Sequence, residues 1–321
     1  MKKNILASVL FGFGCCAFAA DLVDIQNVVF KMADRTEAAK LLTANDEFTD
    51  SLTAFDRSAR LQTSKPVSKK EYLDFIGKQA LGWTEAEQQR IQNIIAVIRP
   101  ELGKYNFKIP RNMYLVKTTG REEGEAAYCR NQNIIVFPQK FIEMKDEELK
   151  SIFIHELFHI YSKNNLDKRE KLYNLIGFYK TGALVIPDDL SSLKVTNPDS
   201  VINNYYFETD WNGEKIKVIP LLIAKSMYDE KKGGRFFDYL QLQFYAVDTE
   251  NGVCQLSKKD GNYIILSLQQ ISNYFDRIGK NTNYIIHPDE ILASNFQLLF
   301  EDSDAVKSPD LLKKIADELK K

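Results

Sequence analysis

Histidine is nearly absent from this chain, with three in 321 residues. Any function that needs several imidazoles therefore has to find them in very few places. Cysteine is scarce too. Of the four, Cys15 and Cys16 fall in the first twenty residues, which leaves Cys129 and Cys254 and room for at most one internal disulfide. There is no basic surplus: 43 Lys and Arg stand against 44 Asp and Glu, so nothing points to a nucleic acid or an anionic membrane as partner. No internal repeat and no low-complexity stretch occurs, which sets aside solenoids and disordered tracts. No apolar run is long and cleanly flanked enough for a membrane span.

The first twenty residues read as an export signal. Lys2 and Lys3 give a positive start, Ile5 to Phe13 an apolar stretch and Ala17-Phe18-Ala19 a small-x-small cleavage site, so removal is expected near Ala19 or Ala20. The protein is then periplasmic or secreted. A lipoprotein is the alternative, with Cys15 or Cys16 as the modified residue, but Gly12-Phe13-Gly14 lacks the upstream Leu of such a site. Removal takes two of the 43 basic residues and none of the 44 acidic ones, leaving a formal charge of −3. About 300 residues remain, enough for one large domain or two smaller ones. In an oxidising compartment Cys129 and Cys254 form either one long-range disulfide or two buried thiols.

Two of the three histidines stand four apart in His155-Glu156-Leu157-Phe158-His159. On an α-helix, i and i+4 share a face, so both imidazoles can address one Zn²⁺. Glu156 beside the first ligand is placed to take a proton from a water whose pKa the metal has lowered, the general-base arrangement of a metallopeptidase. Ile152, Phe153, Ile154, Leu157, Phe158, Ile160 and Tyr161 make the helix apolar enough to be buried. The plainer reading is a core helix with two hydrogen-bonded imidazoles.

Around this motif the chain alternates in character. Residues 21–104 read as helical, with Tyr72, Phe75, Ile76 and Ala80 on one face and a capping box at Thr84 to Glu87 opening a helix that ends near Pro100. Residues 105–321 bring strands: Met113 to Lys117, then Asn133 to Phe137, then the helix from Asp146 to Tyr161. Ile134 to Phe137 is the candidate edge for an extended peptide, or an ordinary hairpin partner. Arg169 to Phe178 reads as helix. Tyr205 to Asp210 and Lys215 to Ile223 flank Asn212-Gly213, a strong hairpin signal. Phe236 to Val247 and Tyr263 to Leu266 continue as strand, and Asp289 to Phe300 and Pro309 to Lys320 as helix.

Two imidazoles do not complete a catalytic zinc site, which takes three protein ligands and leaves a fourth position open. The downstream segment His287-Pro288-Asp289-Glu290-Ile291-Leu292-Ala293-Ser294-Asn295-Phe296 offers Glu290 on a new helix, with Ile291, Ala293 and Phe296 to pack it. Here, over the pentapeptide and this short helix only, the chain resembles the gluzincin branch of zinc metallopeptidases, in which a second helix donates a Glu ligand. The resemblance implies a zincin-like catalytic region, Zn²⁺ as cofactor, His155, His159 and Glu290 as ligands, Glu156 as base, and a peptide or protein substrate. In that branch an Asp four residues past the Glu supports a His ligand; Ser294 stands there, with Asn295 beside it. His287 is the rival third ligand, or a donor to the oxyanion. Tyr161, Tyr205, Tyr206 and Tyr284 are further donor candidates. The expectation is an α+β exported zinc peptidase; a non-catalytic exported protein with a structural metal is the alternative.

Overall fold

The computed structural model describes residues 21–271, 273–301 and 306–321. The expected export segment, residues 1–20, lies outside them. Among the described residues no helix is long and apolar enough to cross a membrane.

Two mixed sheets and the helices packed on them make an α+β fold. In the first sheet Val29–Met32, Asn112–Thr118 and Ile134–Pro138 run parallel, and Tyr128–Arg130 closes the row antiparallel to Ile134–Pro138. All five residues of Ile134–Pro138 are buried. Successive side chains of a strand point to opposite faces, and the sheet uses both. Leu115, Ile135 and Phe137 enter one core with Ile91, Ile94, Ile98, Phe153 and Leu157. Val116, Ile134 and Val136 enter another with Ala38, Leu42, Tyr72 and Ile76. Helices therefore cover both faces, as parallel strands require. Glu85–Leu102 and Asp146–Asn164 lie on one side, Arg35–Thr43 and Lys69–Gly77 on the other.

The second sheet runs Phe178–Lys180, Tyr205–Trp211, Glu214–Ala224, Leu240–Glu250, Val253–Leu256 and Ala183–Val185 in spatial order. Its central hairpin turns at Asn212 and Gly213, both at positive φ (53° and 85°), the backbone a two-residue primed turn needs. Thr84 and Glu87 form the expected capping box.

One expectation needs correction, and two open alternatives are decided. The division at 104/105 cuts through a sheet, because Val29–Met32 pairs with Asn112–Thr118; the helices of 21–104 are a layer of this fold and not a separate helical region. A four-residue strand is too short to announce itself by periodicity. Ile134 to Phe137 is an interior strand, and the edge is Tyr128–Arg130. The helix expected to end near Pro100 ends at Leu102; a proline late in a helix forfeits one bond, which the last turn tolerates. Cys129 and Cys254 are free buried thiols in different sheets and do not form a disulfide.

Candidate metal centre

The helix Asp146–Asn164 begins with Asp146, Glu147 and Glu148 where its dipole favours acids, and buries Phe153, Leu157, Phe158 and Tyr161 in the main core. Its opposite face carries His155, Glu156 and His159. The helix Pro288–Gln297 crosses it, with Phe296 against Phe158 at 5.4 Å between ring centroids and Ile291, Leu292 and Ala293 fully buried. That packing brings the first turn of the second helix onto the histidines.

Glu290 Oε2 lies 3.3 Å from His155 Nε2 and 3.3 Å from His159 Nε2. Three donors each about 2 Å from one Zn²⁺ in a tetrahedron stand about 3.3 Å apart, so this spacing fits a shared ion. His159 Nε2 is buried without a hydrogen bond of good geometry, an orphan that a metal would satisfy. Among the described residues His155, His159 and Glu290 form one such group and no fourth donor joins it. The other oxygen of Glu290 accepts from Asn197 Nδ2 at 2.7 Å. Only His155 among these three residues has appreciable exposure, 16 % of its side chain.

The far side of His159 is held as firmly. Its Nδ1 lies 2.6 Å from Asp289 Oδ2, and Asp289 also accepts from Ser162 Oγ and from Tyr173 Oη, the latter at 2.7 Å. A carboxylate there fixes the tautomer that leaves Nε2 free for a metal. The supporting acid is therefore Asp289, immediately before Glu290. Ser294 and Asn295 do not take that role; Asn295 bonds Asn281 and the Ile291 carbonyl. His287 is not a ligand either, since it caps its own helix, its Nδ1 accepting the Asp289 N–H at 3.1 Å. Burial holds its imidazole down at about 4, and it stays neutral.

Glu156 is 3 % exposed. Burial first, then the neighbouring Asp199 carboxylate, raise its carboxyl to about 7 against the pull of His159 and His155. Cys129, on the edge strand, points its thiol at Glu156 Oε2 from 3.2 Å, and burial together with Glu156 and Asp199 pushes that thiol well up, so it stays protonated and donates. Asp199 accepts the Cys129 N–H at 2.7 Å, and Lys163 donates to the Cys129 carbonyl at 3.2 Å. The outward groups of the edge strand at Cys129 are thus taken by side chains. Burial pushes His159 down, but the charges of Glu290 and Asp199 and the bond to Asp289 outweigh it and leave it raised well above its ordinary value. The cluster is short of positive charge.

Of the four tyrosines, Tyr161 stacks on Phe107 at 4.7 Å in the core and Tyr206 packs on Tyr179 in the second sheet. Tyr205 packs on Tyr173 behind the site. Tyr284 alone lines the narrow cleft, about 50 Å³, beside Asn197 and Asp199. Asp289, Asn197, Asp199 and Cys129 were not legible as site residues. The first had a signal, an acid pair opening a helix after His-Pro; the loop residues had none. Compared with known protein families, curated proteins and solved structures, the chain matches none.

Proposed function

We propose that this protein is an exported zinc-dependent peptidase, with His155, His159 and Glu290 holding the metal and Glu156 as general base. The observation that carries the reading is the convergence of His155 Nε2 and His159 Nε2, each 3.3 Å from one Glu290 oxygen, with Glu156 next to His155 in the chain and no fourth donor among the described residues. A Zn²⁺ held there supplies Lewis acidity, polarising a scissile carbonyl and acidifying a water. Glu156 would accept that water's proton and return it to the departing amine. Asp289 keeps His159 oriented, and Asn197 fixes Glu290 so that one oxygen points inward. Of the four tyrosines Tyr284, beside Asn197 and Asp199, is the candidate donor to an oxyanion.

A second reading draws on the enclosure of the site: Glu156 is buried and the strand edge at Cys129 is occupied. In it the metal is structural and the protein a non-catalytic binder. One experiment separates the two. The purified mature protein should carry close to one zinc per chain and cleave members of a peptide library. Glu156→Gln should keep the zinc and lose the cleavage by roughly a hundredfold or more. Zinc without any cleavage by the parent protein favours the structural reading; cleavage unaffected by Glu156→Gln removes the proposed base.

A further inference from the structure

Behind the metal cluster, on the Nδ1 side of His159, lies a second and larger cavity of about 660 Å³. Ser162, Tyr173 and Asp289 form part of its wall, whereas His155, Glu156, His159 and Glu290 do not. Its size falls within the range of small-molecule sites. Four residues of its wall each carry a buried polar atom without a partner of good geometry in the chain. Arg169 Nε, Tyr205 Oη, Ser200 Oγ and Asn204 Oδ1 are all buried, all without a hydrogen bond of good geometry, and all belong to residues of this one wall. Buried polar groups are ordinarily satisfied, and a wall with several residues short of partners is a place for a ligand.

Arg169 decides what kind. Its guanidinium lies against the rings of Tyr173 and Tyr205, at 5.9 and 5.8 Å, and makes no ion pair among the described residues. Glu170, its neighbour in sequence, pairs with Lys180 on the outside. Three of the wall's four acids are already engaged, and the fourth, Glu47, is exposed to solvent. Asp289 is saturated by His159, Ser162 and Tyr173, Asp199 accepts the Cys129 N–H, and Asp46 pairs with Arg130. The other wall cation, Lys163, donates to the carbonyls of Cys129 and Pro198. Arg169 is therefore the cation left free, and its planar fork matches a carboxylate. Leu166 and Ile202, also in the wall, are half exposed and offer apolar surface to the rest of a ligand.

We propose that this cavity is a binding site for an organic carboxylate with an apolar body, gripped by Arg169 with Tyr205, Ser200 and Asn204 completing the hydrogen bonds. The site is independent of the metal, and its test reads binding and not turnover. N-acetyl-leucine, N-acetyl-leucinamide and inorganic phosphate are titrated calorimetrically into the mature protein, with and without a zinc chelator. The acid should bind saturably in both conditions and the amide at least tenfold more weakly. Arg169→Gln should weaken the acid at least tenfold, and Arg169→Lys, which keeps the charge but loses the fork, should weaken it as well. Circular dichroism and thermal melting establish that the variants fold; if Arg169→Gln does not, Arg169→Lys and the amide decide. Equal binding of acid and amide, unchanged affinity in the folded Arg169 variants, or no saturable binding of the acid overturns the proposal. Binding of phosphate in place of the acid overturns the ligand class.

Discussion

Replacing Asp289 by Asn removes one charge and turns one of two acceptor oxygens into a donor, in a place where three donors already converge. His159 Nδ1, Ser162 Oγ and Tyr173 Oη all point hydrogens at this carboxylate. An amide can accept from at most two sites on its single oxygen and must direct an N–H at one of these partners. The arrangement that retains Ser162 and Tyr173 leaves the amide facing His159 Nδ1. The imidazole then shifts its proton to Nε2, the atom that stands 3.3 Å from Glu290 and would bind zinc. Loss of such a partner typically lowers metal affinity 10- to 100-fold, which is about 1.4 to 2.7 kcal/mol. Competition with a chromophoric chelator measures the zinc dissociation constant of parent and variant, with circular dichroism to confirm folding. Ser294→Ala serves as the comparison, since that residue has no role in the cluster, and should leave zinc affinity unchanged. A folded Asp289→Asn protein that binds zinc as tightly as the parent would refute the argument that this carboxylate sets the tautomer of His159.

The remaining expectations concern the other ligands, the metal itself and a buried acid elsewhere. Glu290→Ala should weaken zinc binding far more than His287→Ala in the same chelator assay, because Glu290 reaches both imidazoles while His287 caps a helix; the opposite ranking would transfer the ligand role. Chelation of the metal should lower the melting temperature and added zinc restore it, since an ion bound only by the folded state stabilises that state; a melt indifferent to zinc would count against the site. Glu122, fully buried with one oxygen unpartnered, has its carboxyl raised by burial to about 7. Because the folded value lies above the unfolded one, its contribution is present below about pH 4.5 and lost as the pH rises through 7, up to about 3 kcal/mol. Glu122→Gln should thus gain stability relative to the parent between pH 5 and 8 in denaturant titrations; parallel pH profiles for the two proteins would show that the carboxyl is not perturbed.

The motif helix was readable because two independent patterns coincide there: histidines at i and i+4, and an unbroken apolar run without Pro or Gly. The hairpin at Asn212-Gly213 was readable because its turn demands positive φ at two successive residues, and few dipeptides allow it. What escaped depends on pairing between distant segments. Val29–Met32 is four residues long, and Tyr128–Arg130 three, so neither has a period to detect. Yet the second of these, by lying outside Ile134–Pro138, decides which strand is the edge. Asn197 and Asp199 lie in a loop rich in Pro, Asp and Asn whose composition says only that it is a loop; their place beside Glu290 and Cys129 is set by tertiary folding alone. Asp289 escaped for a geometric reason. Consecutive residues are about 100° apart around a helix, so Asp289 and Glu290 reach different edges of the same imidazole. Searching one turn further along for the supporting acid overlooked the neighbour.

The charges of the cluster argue against the plainer reading of a core helix with two hydrogen-bonded imidazoles. Glu156, Asp199, Asp289 and Glu290 are all buried within one region, faced by His155, His159 and Lys163. Removing carboxylates from water costs several kcal/mol apiece unless each is paired and hydrogen-bonded. A chain that needed only packing would meet that requirement at lower cost with apolar side chains of similar volume. Without a metal, these residues reach partial neutrality by keeping Glu156 and Asp199 raised and His159 protonated, and that arrangement still leaves His159 Nε2 without a good hydrogen bond. A divalent cation at the point shared by His155, His159 and Glu290 would supply the missing positive charge and satisfy the orphan nitrogen with one group. It would also let His159 be neutral, the form in which an imidazole acts as a ligand. The features that are costly to stability in an ordinary core are thus the ones a metal site requires.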